Sequence, residues 1–218
     1  MTGNNRMAVM DYAKQETRSQ GKVNILTFSV VSKKSRKSDP DFQYFDYFFD
    51  STKATDKDGD LSVDILASAW TAFLQQSEKQ GLPLPERLFV WSDRGSKDFM
   101  NEKVVYMFSK LSKFWNLHIL YSTFEAKHGH SICDGHFGLA KKKLRRDINF
   151  ESSSRAFTKD WVMEKFEQLS NTFLYQIHVH KGPRPVGITI KPFPVQVYRF
   201  FEYKDGRTLA NTFTHADV

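Results

Sequence analysis

Hydrophobic and polar residues follow two different periodicities along the chain, and together they predict a protein built of strands and helices. Three early segments are rich in β-branched and aromatic residues, which predicts strands over residues 7–13, 23–32 and 42–49. From Ser62 to Gln80 apolar residues recur at helical spacing, and Gly81 is a typical helix stop. The later pattern predicts a strand over 87–92, a helix over 101–114, a strand over 117–124 and a helix from Asp134 to about Arg146.

The order of these elements predicts an α/β fold with a mixed five-stranded sheet. Three strands in succession favour an antiparallel meander, and each later strand reached through a helix favours a parallel crossover. This is the element order of an RNase H-like sheet. A doubly wound nucleotide-binding sheet would alternate strand and helix from the start and would need a glycine-rich first turn, which the sequence lacks.

A change of pattern near residue 150 predicts a domain boundary. Glu151 to Ser154 have the composition of a linker, and an amphipathic helix is predicted from Thr158 to Leu169. Short strands separated by Gly and Pro are then predicted over residues 173–180, 186–190 and 195–203. We expect an RNase H-like domain over residues 1–150 and a C-terminal α+β extension or small subdomain over residues 151–218.

Composition narrows the class of protein. The 218 residues are 40% hydrophobic and 15% aromatic, which is enough to build a core and excludes a wholly disordered chain. The single Cys excludes a disulfide scaffold, and no apolar run reaches the roughly 20 residues that a membrane span needs. We therefore expect a soluble intracellular protein. The 32 Lys and Arg against 25 Asp and Glu give a net charge of +7, which favours a polyanionic partner such as nucleic acid.

Three aspartates occupy positions where elements of the predicted sheet end on the same side. Asp11 is predicted to end the first strand, Asp93 follows the fourth, and Asp134 begins the helix after the fifth. Converging carboxylates repel one another unless a cation lies between them, and two Mg²⁺ or Mn²⁺ ions about 3.5–4 Å apart meet that need. Such a site suits phosphodiester cleavage or strand transfer. Taken singly, Asp93 also fits a turn and Asp134 a helix cap, so the prediction depends on their shared placement.

Three segments carry recognisable motifs: Met-Asp-Tyr-Ala at 10–13, Trp-Ser-Asp-Arg-Gly at 91–95, and His-Gly-His-Ser-Ile-Cys-Asp-Gly-His-Phe-Gly at 128–138. Over about residues 7–146 they resemble blocks of eukaryotic transposase-like proteins in the RNase H-like superfamily of DDE transposases and retroviral integrases. The resemblance implies that Asp11, Asp93 and Asp134 hold Mg²⁺ or Mn²⁺ and that the protein cuts or joins DNA.

Departures from the family pattern keep two alternatives open. Arg94 stands where the family usually has Gly, and His130 replaces a usual Lys. These changes favour a domesticated, catalytically inactive module of the same fold that binds nucleic acid or protein. The other alternative is a different RNase H-like nuclease, such as one that cleaves RNA–DNA hybrids.

Further residues are predicted to assist the aspartates. His128 is the candidate to contact the scissile phosphate or to assist proton transfer, and Lys141, Lys142 and Arg145 are predicted to bind the DNA backbone. A zinc site is less favoured, because the spacing of His128, His130, Cys133 and His136 matches no common structural zinc motif. The DNA partner predicts a nuclear location, with a cytoplasmic one as the alternative, and a homo-oligomer is compatible with DNA joining.

Overall fold

A computed structural model describes residues 5–17, 21–32, 41–49, 59–79, 84–92, 99–124, 132–150, 158–177 and 194–212. The strands are β1 (Asn5–Thr17), β2 (Gly21–Ser32), β3 (Asp41–Phe49), β4 (Arg87–Ser92), β5 (His118–Thr123), β6 (Thr172–Gln176), β7 (Phe200–Lys204) and β8 (Arg207–Asn211). The helices are α1 (Gly59–Lys79), α2 (Glu102–Phe114), α3 (Ile132–Phe150) and α4 (Lys159–Glu167), with a 3-10 helix over Val195–Val197. The protein is a mixed α/β protein, as the sequence predicts.

One compact unit consists of Val9–Thr52 and His130–His178 and is called the α3–α4 unit below. Its strands lie in the order β6-β3-β2-β1, with β2 and β3 antiparallel and β3 and β6 parallel. The helix α4 packs on this sheet through Phe166, whose ring meets that of Phe48 edge-on at 5.5 Å. Because side chains alternate along β3, residues two apart from Phe48 lie on the same helix-covered face.

The second compact unit consists of Met1–Ala8, Lys53–Gly129 and Val179–Val218 and is called the α1–α2 unit. Within it β4 and β5 are parallel, β5 and β7 antiparallel, and β7 and β8 antiparallel. The first residues of β1, up to Ala8, also belong to this unit. The helix α2 joins the parallel pair β4 and β5, which is the crossover that the sequence predicts.

Helix boundaries agree with the predictions where a side chain caps the first turn. Asn101 Oδ1 accepts a hydrogen bond from the Val104 amide at 3.0 Å, and Thr158 Oγ1 accepts one from the Trp161 amide at 3.1 Å. These caps satisfy backbone donors that the first helical turn leaves without an intrahelical partner. None of the described helices is long and apolar enough to cross a membrane.

The predicted ends of two elements near the candidate site are wrong. The strand β1 continues to Thr17, so Asp11 lies inside it and not at its end. Polar residues alone do not stop a strand, and no Gly or Pro interrupts the chain between Asp11 and Gly21. The helix α3 begins at Ile132, two residues before Asp134, which was predicted to be its first residue and lies instead within its first turn.

The C-terminal region differs most from its prediction. The predicted strand over 195–203 begins instead with the 3-10 helix, because Pro194 precedes it with a fixed φ and no amide donor. A hairpin of β7 and β8 follows, with Asp205 and Gly206 both at positive φ in its two-residue turn. Asp-Gly is a favoured hairpin dipeptide, so the sequence carried a signal for this hairpin, but β8 was not predicted. The strand predicted over 173–180 ends at Gln176, and the one over 186–190 lies outside the described residues.

Tyr203 of β7 provides a test of the core of the α1–α2 unit. Its side chain is buried, and its hydroxyl has no hydrogen-bond partner among the described residues. Burial, with a smaller contribution from Tyr121, raises the pKa of Tyr203 well above its ordinary value of 10.0. The neutral phenol is therefore favoured in the folded state, and the stability linked to it is lost as pH rises above the pKa of the unfolded chain.

We expect Tyr203→Phe to reduce the alkaline loss of stability. Above pH 10 one such group changes the free energy of unfolding by about 1.4 kcal/mol per pH unit, and the variant lacks that contribution. Urea unfolding of both proteins at several pH values from neutral to strongly alkaline measures the difference. Parallel curves for the two proteins would contradict the prediction.

Candidate functional site

Of the four residues predicted to carry catalysis, the structure describes the side chain of one, Asp134. Asp93 and His128 lie outside the described residues, as does the side chain of Asp11, whose backbone is in β1. Asp134 lies in the first turn of α3 and is exposed. The convergence of the three carboxylates stays a prediction.

Five cationic residues lie in the C-terminal half of α3, from Lys141 to Arg146. The three that are predicted to contact DNA, Lys141, Lys142 and Arg145, are all exposed. The helix thus presents a strongly basic surface from which cations reach solvent, which is the electrostatic requirement for contact with a phosphate backbone.

A buried pair of side chains, a carboxylate and an imidazole, lies between α3 and the sheet of the α3–α4 unit. Asp46 of β3 is 0% exposed and His136 of α3 is 3% exposed. His136 Nε2 donates to Asp46 Oδ2 at 2.8 Å, and Thr27 Oγ1 donates to the other carboxylate oxygen, Oδ1. Thr27 is the cross-strand partner of Asp46, so the β2–β3 register places the hydroxyl beside the carboxylate. Both oxygens of a buried carboxylate are therefore hydrogen-bonded, which offsets the cost of removing it from water.

The imidazole of His136 is fixed from several directions. The ring of Tyr44, two residues before Asp46 on the same face of β3, stacks on it at 4.1 Å and 7°. The ring of Phe166 meets it edge-on at 5.9 Å. A His whose Nε2 is held by a carboxylate keeps one ring orientation. Burial raises the pKa of Tyr44, and the neighbouring Cys133 and Asp46 raise it further.

A cavity of about 760 Å³ opens beside this pair, and we call it the α3 cavity. It is lined by side chains of α3, of the start of β3 and of the segment between α4 and β6: Phe42, Tyr44, His136, Leu139, Lys142, Lys143, Arg146, Gln168, Leu169, Ser170 and Asn171. Of the predicted DNA-binding residues it includes Lys142; Lys141 and Arg145 are not part of its lining.

An acidic residue next to the cavity is held by two cations. Asp147 Oδ1 accepts a hydrogen bond from Arg146 Nε at 3.3 Å, and Lys165 Nζ lies 3.4 Å from Asp147 Oδ2. Desolvation acts to raise the pKa of Asp147, but the hydrogen bonds and charges of Arg146 and Lys165 outweigh it, so the pKa is lowered. The carboxylate is thereby directed to these two cations, and it is absent from the lining of the α3 cavity.

Comparison with known proteins identifies the family. The model of a family described as a domain of unknown function, DUF8701, matches residues 57–183, which is more than half of the 218 residues. The chain belongs to the DUF8701 family. A search of curated proteins gives no match.

The DUF8701 match covers α3 and α4, and therefore His136 and the cations of the α3 cavity. It begins after Asp11 and Asp46, which are contributed by strands that precede the matched region. The buried pair therefore consists of His136, which lies inside the DUF8701 match, and Asp46, which lies outside it.

Sequence reasoning missed Asp46. The signal was present, because Asp46 is the one charged residue within the aromatic run Tyr44 to Phe49. A charged residue among apolar neighbours of a strand is more informative than the apolar residues themselves, since burial requires that it be paired.

Two residues of the less favoured zinc motif make other contacts. Cys133 is buried, and its Sγ lies 3.9 Å from the carbonyl oxygen of Thr27, while His136 pairs with Asp46. His128 and His130 lie outside the described residues. Within the described part of the chain, no group of three or more His, Cys, Asp or Glu side chains is arranged to hold a metal ion.

Proposed function

We propose that this DUF8701 protein is a transposase-like domain with an RNase H-like sheet that binds DNA and, with Mg²⁺ or Mn²⁺, cleaves phosphodiesters or transfers strands. The observation that carries the proposal is the strand arrangement. In the α3–α4 unit β3, β2 and β1 are consecutive neighbours, and in the α1–α2 unit β4 and β5 are parallel and joined through a helix. An RNase H-like sheet has this sequence of a three-strand meander followed by strands reached through helices.

The positions of the aspartates on these elements support the same proposal. Asp11 is in β1, Asp93 is the residue that follows β4, and Asp134 is in the first turn of the helix that follows β5. The donor set fits the hard divalent cations, because Mg²⁺ and Mn²⁺ prefer carboxylate oxygens. When bound, the metal ions would activate a water or a DNA 3′-hydroxyl and stabilise the leaving oxygen.

The remaining residues bind and orient the DNA. Lys141, Lys142 and Arg145 contact backbone phosphates, which supplies affinity that does not depend on sequence. His128 contacts the scissile phosphate or assists proton transfer. A nuclear location and action as a homo-oligomer are part of this proposal.

A nicking assay tests the proposed activity. We expect the protein to nick supercoiled plasmid or to join labelled oligonucleotide ends in the presence of Mg²⁺ or Mn²⁺ and to lose both activities with a chelator. An RNA–DNA hybrid included as substrate separates a DNA-specific enzyme from a hybrid nuclease. Absence of any metal-dependent product from all three substrates would contradict the proposed catalysis.

The second candidate function is DNA binding without catalysis, and Arg94 favours it. A cation immediately after Asp93 competes electrostatically with a divalent ion for that carboxylate, whereas the exposed cations of α3 need no metal to contact phosphate. DNA binding that a chelator leaves unchanged, with no cleavage, would support this candidate.

A further inference from the structure

The α3 cavity combines features that the proposed metal chemistry does not use. Its volume of about 760 Å³ lies within the range of about 300–1,000 Å³ that is usual for small-ligand sites. It lies wholly within the α3–α4 unit and is lined by α3, the start of β3 and the segment between α4 and β6. Asp134 is not among its lining residues.

One side of the cavity is positively charged. Lys142, Lys143 and Arg146 all lie within a little more than one turn of α3, and no Asp or Glu is among the lining residues. Asp147, the nearest acidic residue in sequence, is directed to Arg146 and Lys165. Arg146 binds Asp147 through Nε only, so its remaining guanidinium donors, together with Lys142 and Lys143, can meet an anion in this space. The Arg guanidinium suits the geometry of phosphate oxygens.

Another side of the cavity is aromatic. Phe42 and Tyr44 lie on the same face of β3 and are each half-buried, so part of each ring remains accessible. The stack with His136 fixes the ring of Tyr44, and the Tyr44 amide donates to the Asn171 carbonyl at 2.9 Å. Rigid, partly exposed aromatic rings beside cations are the surfaces on which nucleobases stack.

The third side of the cavity is polar. Gln168, Ser170 and Asn171 contribute side chains that can both donate and accept hydrogen bonds. Asn171 has a positive φ of 54°, and its carbonyl is held by β3, so the segment that carries these side chains is anchored to the sheet. Amide side chains pair with the polar edges of nucleobases.

We propose that the α3 cavity binds a nucleoside phosphate. The phosphate contacts Lys142, Lys143 and Arg146, the base stacks on Phe42 or Tyr44, and the amides of Gln168 and Asn171 contact the edge of the base. The ligand is either a free nucleotide or one unit of a single-stranded DNA segment, since both present the same phosphate and base. This binding goes beyond the proposed cleavage, because it needs neither a metal ion nor the three aspartates.

Titration of the full chain in the presence of a chelator tests the proposal separately from catalysis. Adenosine monophosphate and inorganic phosphate are titrated by calorimetry, and a short fluorescent oligodeoxythymidylate is titrated by anisotropy. We expect the nucleotide, the oligonucleotide or both to bind more tightly than inorganic phosphate. Binding of the free nucleotide identifies a mononucleotide site, and binding of the oligonucleotide alone identifies a single-strand site.

Variants distinguish binding in the α3 cavity from non-specific attraction of an anionic ligand to a basic protein. Arg146→Ala is expected to weaken binding of the nucleoside phosphate about tenfold, and Phe42→Ala about tenfold for the nucleoside phosphate with no change for inorganic phosphate. Lys204→Ala removes an exposed cation of β7 outside the cavity and serves as the matched control. Phe42 is half-buried, so a thermal melt of the variant checks that it folds, and Gln168→Ala at the exposed polar side provides an independent variant.

Two results would overturn the proposal. One is that neither adenosine monophosphate nor the oligonucleotide binds up to millimolar concentration. The other is that Arg146→Ala and Lys204→Ala weaken binding equally while Phe42→Ala and Gln168→Ala leave it unchanged, which is the behaviour of non-specific attraction to net charge.

Discussion

Asp93→Asn and Asp134→Asn are each expected to reduce metal-dependent DNA cleavage by about 10³-fold. Metal ions contribute several kcal/mol of charge stabilisation to phosphodiester chemistry, and each 1.36 kcal/mol corresponds to a tenfold change in rate. An amide keeps the size of the carboxylate but removes the charge that holds the cation. Initial nicking rates of supercoiled plasmid with Mn²⁺ measure the loss.

The design of this comparison depends on where Asp134 lies. Asp134 is exposed in the first turn of α3, so its replacement by Asn is expected to alter folding little, and thermal melts check this. Glu167→Gln removes an exposed carboxylate from α4 of the same unit and is the control for the change of net charge. Variants that cut DNA as fast as the unchanged chain would refute the assignment of Asp93 and Asp134 as metal ligands and would show that other residues carry the cleavage.

Asp46→Asn is expected to destabilise the protein by about 1–3 kcal/mol, the range found when a buried hydrogen-bonding group loses its partner. Asp46 is fully buried and receives hydrogen bonds from Thr27 and His136. Asn offers one acceptor oxygen in place of two, so one of these two donors meets an NH2 group in a site that water does not reach. Urea unfolding at neutral pH measures the loss. Glu167→Gln again serves as the control and is expected to change stability by no more than about 0.5 kcal/mol.

A double-mutant cycle attributes the loss to the pair. His136→Gln and Asp46→Asn together are expected to cost less than the sum of the single changes, by about 1–3 kcal/mol, because each single change already breaks the same contact. Thr27→Val removes one hydrogen bond and is expected to cost about 1 kcal/mol. Strict additivity of Asp46→Asn and His136→Gln would show that the two side chains are not coupled.

Local signals predicted several elements correctly. The helices α2 and α4 begin one residue after their predicted starts, Asn101 and Thr158, each of which caps its helix, and β4 has the predicted bounds of 87–92. Caps and periodicity involve residues within one or two turns, so the information lies in adjacent positions of the chain. Where no such signal exists, as at the C-terminal end of β1, the predicted boundary was wrong.

The candidate site could be predicted only in part. Three aspartates on separate elements and a basic helix are visible as residue types at given spacings. The aromatic neighbours of Asp46 signalled that it is buried, but its pairing with His136 was not visible, because the two residues lie 90 positions apart along the chain. Lys142 was predicted to bind DNA, and the structure places it in the lining of the α3 cavity. The cavity itself could not be predicted, because the start of β3 and the segment before β6 also line it.

The order of strands and helices, the basic character of α3 and the aromatic character of β3 were determined by the amino-acid sequence alone, since periodicity and charge are properties of neighbouring residues. The pairing of β3 with both β2 and β6, the burial of Asp46 against His136, and the meeting of cations, aromatic rings and amides around one cavity were decided only by the tertiary structure. The physical reason is that a buried charge and a ligand-sized space both depend on which distant segments pack together, and that choice is made by the core of the α3–α4 unit as a whole.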